Sequence, residues 1–434
     1  MDKMADVLGR AGAWCGQNKY LSAIKNAFQN FMPLTIAGAI GVLWCNVLVN
    51  ESTGLGIFFK PIMALEFLNP AFQAVNFCTI SCITVGITLG IAQEIGVWNM
   101  GAERAGYIPG LVGLAAWLSV TNTSHMVEGA KEAFTGIAGN ELGATGLFTG
   151  MIIGVLSVEL FCFFEKQDAL KIKMPEQVPP GVARAFEVLV PATITLIITA
   201  CIGSACYNLT GLYLNDVIKN GVQGPLGAVG ATIPGVMIIY LVIMLFWLVG
   251  IHGNNMLSAV KEALFTPLAL ENVEAFNKGE TPKNIINMSA LQMWGEFGGS
   301  GVTIGLVIAI MIFGKREDNK AIATLSLVPG LFNINETVTF GIPMVLNPIL
   351  GIPFVFACLV TILVGYVLTV IGFCPVACLT VPWTTPPIVF GFLACGANVM
   401  GAVTQAILIV VSTVIYVPFL ISYEKYQNKQ AVEA

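Results

Sequence analysis

Charged side chains are scarce in this sequence. Asp, Glu, Lys and Arg make up 10% of the 434 residues, whereas hydrophobic residues make up 56%. Soluble domains typically carry about 25% charged residues, so the composition excludes an ordinary soluble enzyme. Apolar runs of about 20 residues recur along the chain, and each is long enough to cross a hydrocarbon core about 30 Å thick. We therefore predict an all-α, polytopic membrane protein.

Histidines and nucleotide-binding motifs are also scarce or absent. Neither of the two histidines stands near the closely spaced cysteine pairs Cys78/Cys82 and Cys374/Cys378. Because zinc sites combine such cysteines with histidines, we expect no metal site. Without a Walker loop or a GxGxxG fingerprint, we expect neither nucleotide hydrolysis nor a cofactor. No basic tract with interleaved aromatic residues is present, so nucleic acid is not an expected partner.

The first 31 residues do not resemble a secretory signal, because they lack a short apolar core followed by a cleavage site of small residues. Lys3, Arg10, Lys19 and Lys25 recur there at near-helical intervals. This pattern predicts an amphipathic segment that lies on the membrane surface in contact with lipid.

About ten helices are expected to span the membrane. The candidate spans are 31–50, 74–95, 106–121, 145–164, 187–208, 228–250, 300–313, 321–346, 347–372 and 399–422. Glycine, proline and polar residues interrupt 321–346 and a further region at 375–398. Irregular backbone at membrane depth persists only when it is buried in protein or lines a water-filled cavity. We therefore predict two re-entrant hairpins in these regions.

The distribution of basic residues predicts a cytoplasmic N-terminus. The N-terminal segment and the loops at 94–105 and 165–186 hold nine Lys and Arg residues, against Lys60 and Lys131 in the intervening loops. Positive charge concentrates on the cytoplasmic side of membrane proteins. The second half of the chain is ambiguous by the same rule, because 251–299 and 314–320 are both basic.

The two halves of the chain are expected to have different tasks. We predict that 1–208 forms a transmembrane scaffold that dimerises, and that 209–434 binds the substrate with its re-entrant hairpins. Within the second half, 251–299 is the only long polar stretch and has the pattern of an amphipathic helix. It is too short for an enzymatic domain.

His252 and Glu336 are ionisable residues set in long apolar stretches. A charge in hydrocarbon costs from about 2.5 to more than 10 kcal/mol, so such residues usually face a cavity, a partner or a pathway. In GIHGNN (250–255), glycines flank His252 and allow a ligand close to the backbone, while Asn254 supplies an amide. The alternative is that His252 is a structural residue at a helix end.

The densest polar insertion is NINETVTFGIP, residues 333–343, which contains Asn333, Asn335 and Glu336. A carboxylate accepts hydrogen bonds strongly, and beside two amides it suits a neutral, hydroxyl-rich ligand such as a sugar. A hydrogen-bonded plug between helices is the alternative interpretation.

Trp383 lies in the proline-rich stretch VPWTTPPIVFG, residues 381–391. There it is a rigid aromatic plate that suits stacking on the apolar face of a sugar ring, with Thr384 and Thr385 as hydroxyl partners. The alternative is a tryptophan anchored at the membrane interface.

Five segments resemble enzyme IIC, the membrane subunit of the bacterial phosphoenolpyruvate-dependent sugar phosphotransferase system, in its lactose/cellobiose/N,N′-diacetylchitobiose family. They are AIKNAFQNFMPLTIAGAI (23–40), FWLVGIHG (246–253), GGSGVTIGLVIAI (298–310), NINETVTFGIPMVLNPILGIPF (333–354) and PWTTPP (382–387). The family commonly has proline after the glutamate, where this chain has Thr337, and this difference bears on the local hairpin geometry.

The resemblance implies a homodimer in a bacterial plasma membrane that binds a β-linked disaccharide of the cellobiose or N,N′-diacetylchitobiose type. It implies that His252 and Glu336 correspond to the substrate-site histidine and glutamate of the family. The phosphoryl donor would be a phosphocysteine on a separate IIB subunit, with IIA upstream. We expect no IIB or IIA domain here, since only a short polar tail follows the last span, and this form favours the cellobiose/diacetylchitobiose branch.

Phosphoryl transfer depends mainly on positioning and electrostatics. In this interpretation Glu336 holds the primary hydroxyl of the sugar in line and accepts its proton, and His252 orients Glu336 or stabilises developing charge. The competing interpretation is a cation-coupled secondary transporter, in which the same two residues relay protons.

Overall fold

Helices dominate the structure, a computed structural model that describes residues 10, 14, 17–51, 56, 59–125, 134–175, 177–225, 230–342, 344–345 and 347–433. In these residues, one short antiparallel sheet pairs β1 (Ser124–His125) with β2 (Phe134–Thr135). Most of the predicted surface segment before Lys19 lies outside the described residues, so it stays a prediction.

The α-helices follow one another along the chain with short 3-10 and π segments between them. They are α1 (Lys19–Leu43), α2 (Asn69–Cys78), α3 (Ile83–Met100), α4 (Ala102–Ala105), α5 (Ile108–Val120), α6 (Gly139–Leu142), α7 (Ala144–Glu165), α8 (Pro180–Thr210), α9 (Leu214–Ile218), α10 (Ile233–Leu248), α11 (Gly253–Met256), α12 (Ser258–Asn277), α13 (Met288–Gly295), α14 (Ile304–Phe313), α15 (Glu317–Leu331), α16 (Glu336–Gly341), α17 (Gly351–Val370), α18 (Val389–Ala394) and α19 (Val399–Glu433). The 3-10 segments are Lys60–Leu68, Ile80–Cys82, Asp168–Leu170 and Ser300–Val302, and the π segments are Trp44–Leu48 and Lys219–Gln223.

Within the described residues, six helices are long and apolar enough to cross a membrane, or seven if one bent pair counts as a span. The six are Lys19–Leu48, Lys60–Met100, Ala144–Glu165, Pro180–Thr210, Gly351–Val370 and Val399–Gln430, and the pair bent by 60° is Met288–Val302 with Ile304–Phe313. The helices α5 and α10 are apolar but shorter. The prediction of an all-α polytopic membrane protein is confirmed, whereas the count of ten spans stays a prediction.

An exposed apolar stripe runs along one face of α19. Val403, Val410, Val414 and Ile421 are all exposed, and their spacings of seven and four residues place them on one helix face. A contiguous apolar stripe of this kind is unfavourable in water and marks a contact surface. This face therefore suits an apolar contact rather than water.

The described chain divides into two compact units. One, here called the helical unit, comprises Gln17–Gly38 and Ala74–Ala228; the other, the cavity unit, contains Ala39–Gln73 and Val229–Ala434. The segment Ala39–Gln73 therefore belongs with residues far along the chain. The tasks that the sequence predicts for 1–208 and 209–434 stay predictions.

Isoleucines and glycines explain the packing of the helical unit. Ile87, Ile91 and Ile95 on α3 are fully buried and recur every four residues, which places them on one face. On α5, a Cβ added to Gly113 would lie 2.3 Å from the Cβ of Ala92. Only glycine lets these two helices approach so closely, as is common in membrane bundles.

In the cavity unit, the backbone is broken where the sequence predicts it. A non-helical turn separates α15 from α16, and Asn333 in this turn has φ +63°. Residues 371–388 form no regular helix or strand before α18 begins. A third break was not predicted: the expected span 300–313 is shortened because glycines with positive φ, Gly299 and Gly301, separate α13 from α14.

Candidate functional site

The breaks in the cavity unit surround a cavity of about 350 Å³. Its lining residues come from the α10–α11 connection and the start of α11, α13 and the α13–α14 break, the α15–α16 turn and the start of α16, the loop before α18, α18 itself and α19. They are His252, Asn254, Asn255, Gln292, Glu296, Phe297, Gly299, Ser300, Asn333, Ile334, Asn335, Glu336, Trp383, Phe390 and Gln405. Thr384 and Thr385 are not among them: Thr384 is exposed and Thr385 is half-buried. Their predicted part in binding stays a prediction.

The structure brings His252 and Glu336 together in this cavity. His252 Nε2 lies 3.9 Å from Glu336 Oε1, although the two residues stand far apart in the sequence. Their side chains are 38% and 48% exposed. They therefore face the cavity rather than forming a closed ion pair, which leaves room for a ligand group to contact both.

One hydrogen bond determines the form of the His252 ring. The backbone N–H of Asn255 donates to His252 Nδ1 at 3.3 Å, at the start of α11. An accepting Nδ1 carries no proton, so the neutral ring carries its proton on Nε2. His252 therefore presents an N–H donor to the side of the ring where Glu336 lies. The indole ring of Trp247 packs against the His252 ring, with ring centroids 4.4 Å apart.

His252 lies between α10 and α11, outside the six helices that are long and apolar enough to cross a membrane. Burial lowers the pKa of His252, and the negative charge of Glu336 opposes this effect without overcoming it. The histidine is therefore neutral at neutral pH, which keeps the hydrogen bond from Asn255 intact.

Asn333 holds two broken segments together through its amide. Its Oδ1 accepts a hydrogen bond from the backbone N–H of Gly298 at 2.6 Å. Its Nδ2 donates to the carbonyl oxygens of Trp383 and Thr385, the latter at 3.0 Å. We call this set of bonds the amide clamp. Because both Nδ2 protons are used, Asn333 acts on the site chiefly by fixing the loop that carries Trp383.

Trp383 is 43% exposed and lines the cavity. Further hydrogen bonds fix the segment that follows the Trp383 loop. Gln405 Oε1, on α19, accepts hydrogen bonds from the backbone N–H groups of Ile388 and Gly391, both at 2.7 Å. The indole is thus mounted on a loop that is held from both sides.

Glu296 is a cavity residue that the sequence patterns did not single out. It accepts a hydrogen bond from the hydroxyl of Tyr240 at 2.7 Å and forms an ion pair with Lys261. Lys261 also donates to Asn254 Oδ1 at 3.2 Å. The signal was present in WGEFGGSG (294–301), where a lone carboxylate stands in an apolar stretch just as Glu336 does.

Asn254 and Asn335 are both bonded to Ser300. Asn254 Nδ2 donates to the hydroxyl oxygen of Ser300, and Asn335 Nδ2 donates to its carbonyl oxygen, each at 2.8 Å. Asn335 is buried. These amides therefore tie the α11 region and the residue before Glu336 to the α13–α14 break.

The cavity suits a neutral molecule with many hydroxyl groups. It offers carboxylates as acceptors, a neutral histidine as a donor and an exposed indole as a flat apolar surface. The described residues contain no group of three or more His, Cys, Asp or Glu side chains that could hold a metal ion.

Broken membrane helices around a polar cavity define a membrane transport protein. A family model described as "Phosphotransferase system, EIIC" matches residues 25–358. The chain belongs to this family and is a sugar permease component of a phosphotransferase system.

Several known proteins are similar to this chain over nearly their whole length. The "PTS system oligo-beta-mannoside-specific EIIC component" of Bacillus subtilis is 32% identical over 441 residues, covering 100% of this chain and 97% of the relative. The "PTS system cellobiose-specific EIIC component" of Lactococcus lactis is 29% identical, with 98% of each chain covered. The crystal structure of ChbC, the IIC component of an N,N′-diacetylchitobiose-specific phosphotransferase system, matches with a TM-score of 0.88 at 29% identity and 96% coverage of each chain.

These similarities confirm the family that the sequence motifs indicate. EIIC components work with IIB and IIA partner proteins on a sugar substrate, and they are multi-pass membrane proteins. No relative reported above supports the competing interpretation of a cation-coupled transporter.

Proposed function

We propose that this chain binds a β-linked disaccharide in the cavity and translocates it as it is phosphorylated by a phosphocysteine on a IIB subunit. The relatives named for oligo-β-mannosides, cellobiose and N,N′-diacetylchitobiose support this substrate class. A volume of about 350 Å³ falls in the range of small-molecule sites. The observation that carries the proposal is the approach of His252 and Glu336 inside this cavity.

In the proposed mechanism, Glu336 accepts a hydrogen bond from the primary hydroxyl of the sugar and holds its oxygen in line with the phosphoryl group. The O–P bond to the sugar forms as the S–P bond of the phosphocysteine breaks, the cysteine leaves as a thiolate, and the hydroxyl proton passes to Glu336. Because phosphoryl transfer has a loose transition state, this proton leaves late and a strong base is not required. The Nε2–H of His252 lies 3.9 Å from Glu336, where it orients the carboxylate or the sugar oxygen. The phosphorylated sugar carries a charge that prevents its return across the membrane.

The remaining polar residues hold the sugar or the loops around it. Asn254 and Asn335 present amides near the reacting hydroxyl, and Asn333 fixes the loop of Trp383. Trp383 stacks on one sugar ring, as aromatic side chains do on flat apolar surfaces. Thr384 and Thr385, next to Trp383 in the same loop, are proposed as hydroxyl partners of the sugar.

We propose the following setting for the protein. It is a homodimer in the bacterial plasma membrane, embedded in lipid, with 1–208 as the dimerising scaffold. Its N-terminus is cytoplasmic, as the basic loops indicate. Phosphorylated IIB, loaded by IIA, docks from the cytoplasm.

Proteoliposomes that contain the purified chain test this function. With phosphorylated IIB present on the cytoplasmic face, external radiolabelled cellobiose or N,N′-diacetylchitobiose is expected to appear as sugar phosphate on that face. With only a proton or sodium gradient, no sugar should accumulate. Accumulation of unmodified disaccharide under the gradient alone would contradict the proposal and favour a secondary transporter.

A further inference from the structure

Glu296 is placed so that one carboxylate oxygen serves the protein and the other is left for a ligand. Both protein donors found in the described part of the chain, Tyr240 Oη and Lys261 Nζ, use Oε1. Glu296 itself lines the cavity. A carboxylate offers about four lone-pair sites on two oxygens, so Oε2 retains its capacity to accept hydrogen bonds.

The ion pair with Lys261 is unusually enclosed. The side chains of Lys261 and Glu296 are 7% and 17% exposed, and the ammonium group also lies 5.5 Å from the centre of the Tyr240 ring. Enclosed ion pairs add little to stability, and apolar residues of similar volume often replace them without loss. An enclosed pair that opens onto a cavity on its acidic side is therefore better explained by a task in binding.

A continuous set of hydrogen bonds links this pair to the proposed catalytic residue. Lys261 donates to Asn254, Asn254 donates to Ser300, and Asn335 donates to the Ser300 carbonyl. Asn335 directly precedes Glu336. The two carboxylates of the cavity are therefore held by one connected framework.

We propose that Glu296 is a second sugar-binding carboxylate, which accepts a hydrogen bond from a hydroxyl group other than the one that is phosphorylated, and that Lys261 and Tyr240 position it. This inference rests on the proposed function and names a further determinant of substrate choice at the same site. The ligand class is a neutral disaccharide that offers hydroxyl donors at two separate places. A charged acceptor at each place disfavours sugars that carry an acid group.

The test is disaccharide binding to the purified full-length protein, measured by calorimetry without IIB. Glu296→Gln keeps the shape and is expected to bind roughly 10- to 100-fold more weakly, because a hydrogen bond to a charged group is lost. A series of monodeoxy disaccharides then identifies the hydroxyl group that Glu296 contacts. Removing that hydroxyl should weaken binding to wild type but should not weaken binding to Glu296→Gln any further, as in a double-mutant cycle. Unchanged affinity of Glu296→Gln for the parent disaccharide overturns the inference.

A second variant separates positioning from mere support of the fold. Lys261→Met combined with Glu296→Gln removes both charges together, so no uncompensated charge is left buried. If the pair only supports the fold, this folded double variant binds like wild type, and the inference fails. Under the proposal it binds as weakly as Glu296→Gln alone.

Tyr240→Phe retains the ion pair and gives an independent test. It should weaken binding roughly 3- to 10-fold, and no change would exclude Tyr240 as a positioning residue.

The matched control is the exposed pair of Lys278 with Glu274, on or next to the same helix α12. Lys278→Met with Glu274→Gln makes the same chemical change and should leave binding unaltered; an equal loss of affinity there would contradict a specific role for Glu296.

The outcome for wild type distinguishes the two proposals. If wild type binds no disaccharide, the proposed function fails; if it binds and Glu296→Gln binds equally well, only the present inference fails.

Discussion

His252 changes its hydrogen-bonding capacity when it takes up a proton. In the neutral ring, Nδ1 accepts from the backbone N–H of Asn255. Protonation turns Nδ1 into a donor that faces this N–H, so the bond is lost and the start of α11 is disturbed. The site is therefore built for the neutral ring, and the lowered pKa of His252 keeps that form present.

This property predicts how binding depends on pH. Since burial lowers the pKa of His252 below the ordinary histidine value, disaccharide affinity should be highest at neutral and mildly basic pH. It should weaken only at lower pH, as the ring becomes charged. In His252→Gln, this loss of affinity at acidic pH should be absent. The matched control is His125→Gln at the other histidine of the chain, which should keep the wild-type profile; binding that strengthens on acidification would refute the account.

Trp383 is predicted to act as a stacking surface. Trp383→Ala should weaken disaccharide binding by about 1 kcal/mol or more, and Trp383→Phe should retain much of the affinity because it keeps a flat aromatic face. Titration of the purified variants with sugar measures this. Trp98 is an exposed tryptophan of the helical unit, so Trp98→Ala serves as the control and should bind like wild type. Equal affinity of wild type and Trp383→Ala would support the membrane-anchor interpretation.

At the scale of elements, the cavity depends on short broken segments that side-chain amides hold in place. Asn333 and Gln405 supply five hydrogen bonds to backbone groups of the loops around the site. Such loops lack the internal bonds of a helix, and an unmade bond at a buried backbone group costs about 1–3 kcal/mol. The amide clamp and the two bonds of Gln405 therefore contribute to both stability and site geometry.

We predict that Asn333→Asp weakens binding through Trp383. The aspartate keeps the acceptor for Gly298 but faces the carbonyl oxygens of Trp383 and Thr385 without a donor, so the loop should loosen. Its effect on sugar affinity should be smaller when Trp383 is already alanine, which a double-mutant cycle measures. Asn333→Gly removes the amide clamp without straining the positive φ at this position, so it should show the same coupling to Trp383. Strict additivity of the Asp and Ala effects would show that the clamp does not act through Trp383.

The breaks at 321–346 and 375–398 could be predicted because glycine, proline and asparagine interrupt apolar runs there. The break between α13 and α14 was missed because the apolar run after Gly301 masks it, although the GGSG glycines mark the turn. Glu296 and Lys261 illustrate a different limit. Their pairing joins residues 35 positions apart, and spacing along a chain does not reveal a contact between separate elements.

At the scale of the whole molecule, the structure changes how the basic residues are counted. Lys261 is buried against Glu296, so it is not a loop lysine and drops out of the count for 251–299. In the comparison with the basic stretch 314–320, only Lys278 and Lys283 then remain for 251–299.

Composition predicts the membrane class and the motifs predict the family, because both can be read from short stretches of sequence. The grouping of Ala39–Gln73 with the cavity unit depends on contacts between distant segments.

We propose that Glu336 holds a hydroxyl group of the bound disaccharide in line and accepts its proton while phosphorylated IIB donates the phosphoryl group. The most direct measurement is the rate of sugar phosphate formation by proteoliposomes supplied with phosphorylated IIB, for wild type and Glu336→Gln at saturating sugar. We predict a loss of at least about 100-fold in rate, as expected for a group that positions and accepts the proton, while the variant still inserts into the membrane and still binds sugar. Near-normal formation of sugar phosphate by Glu336→Gln would contradict the account.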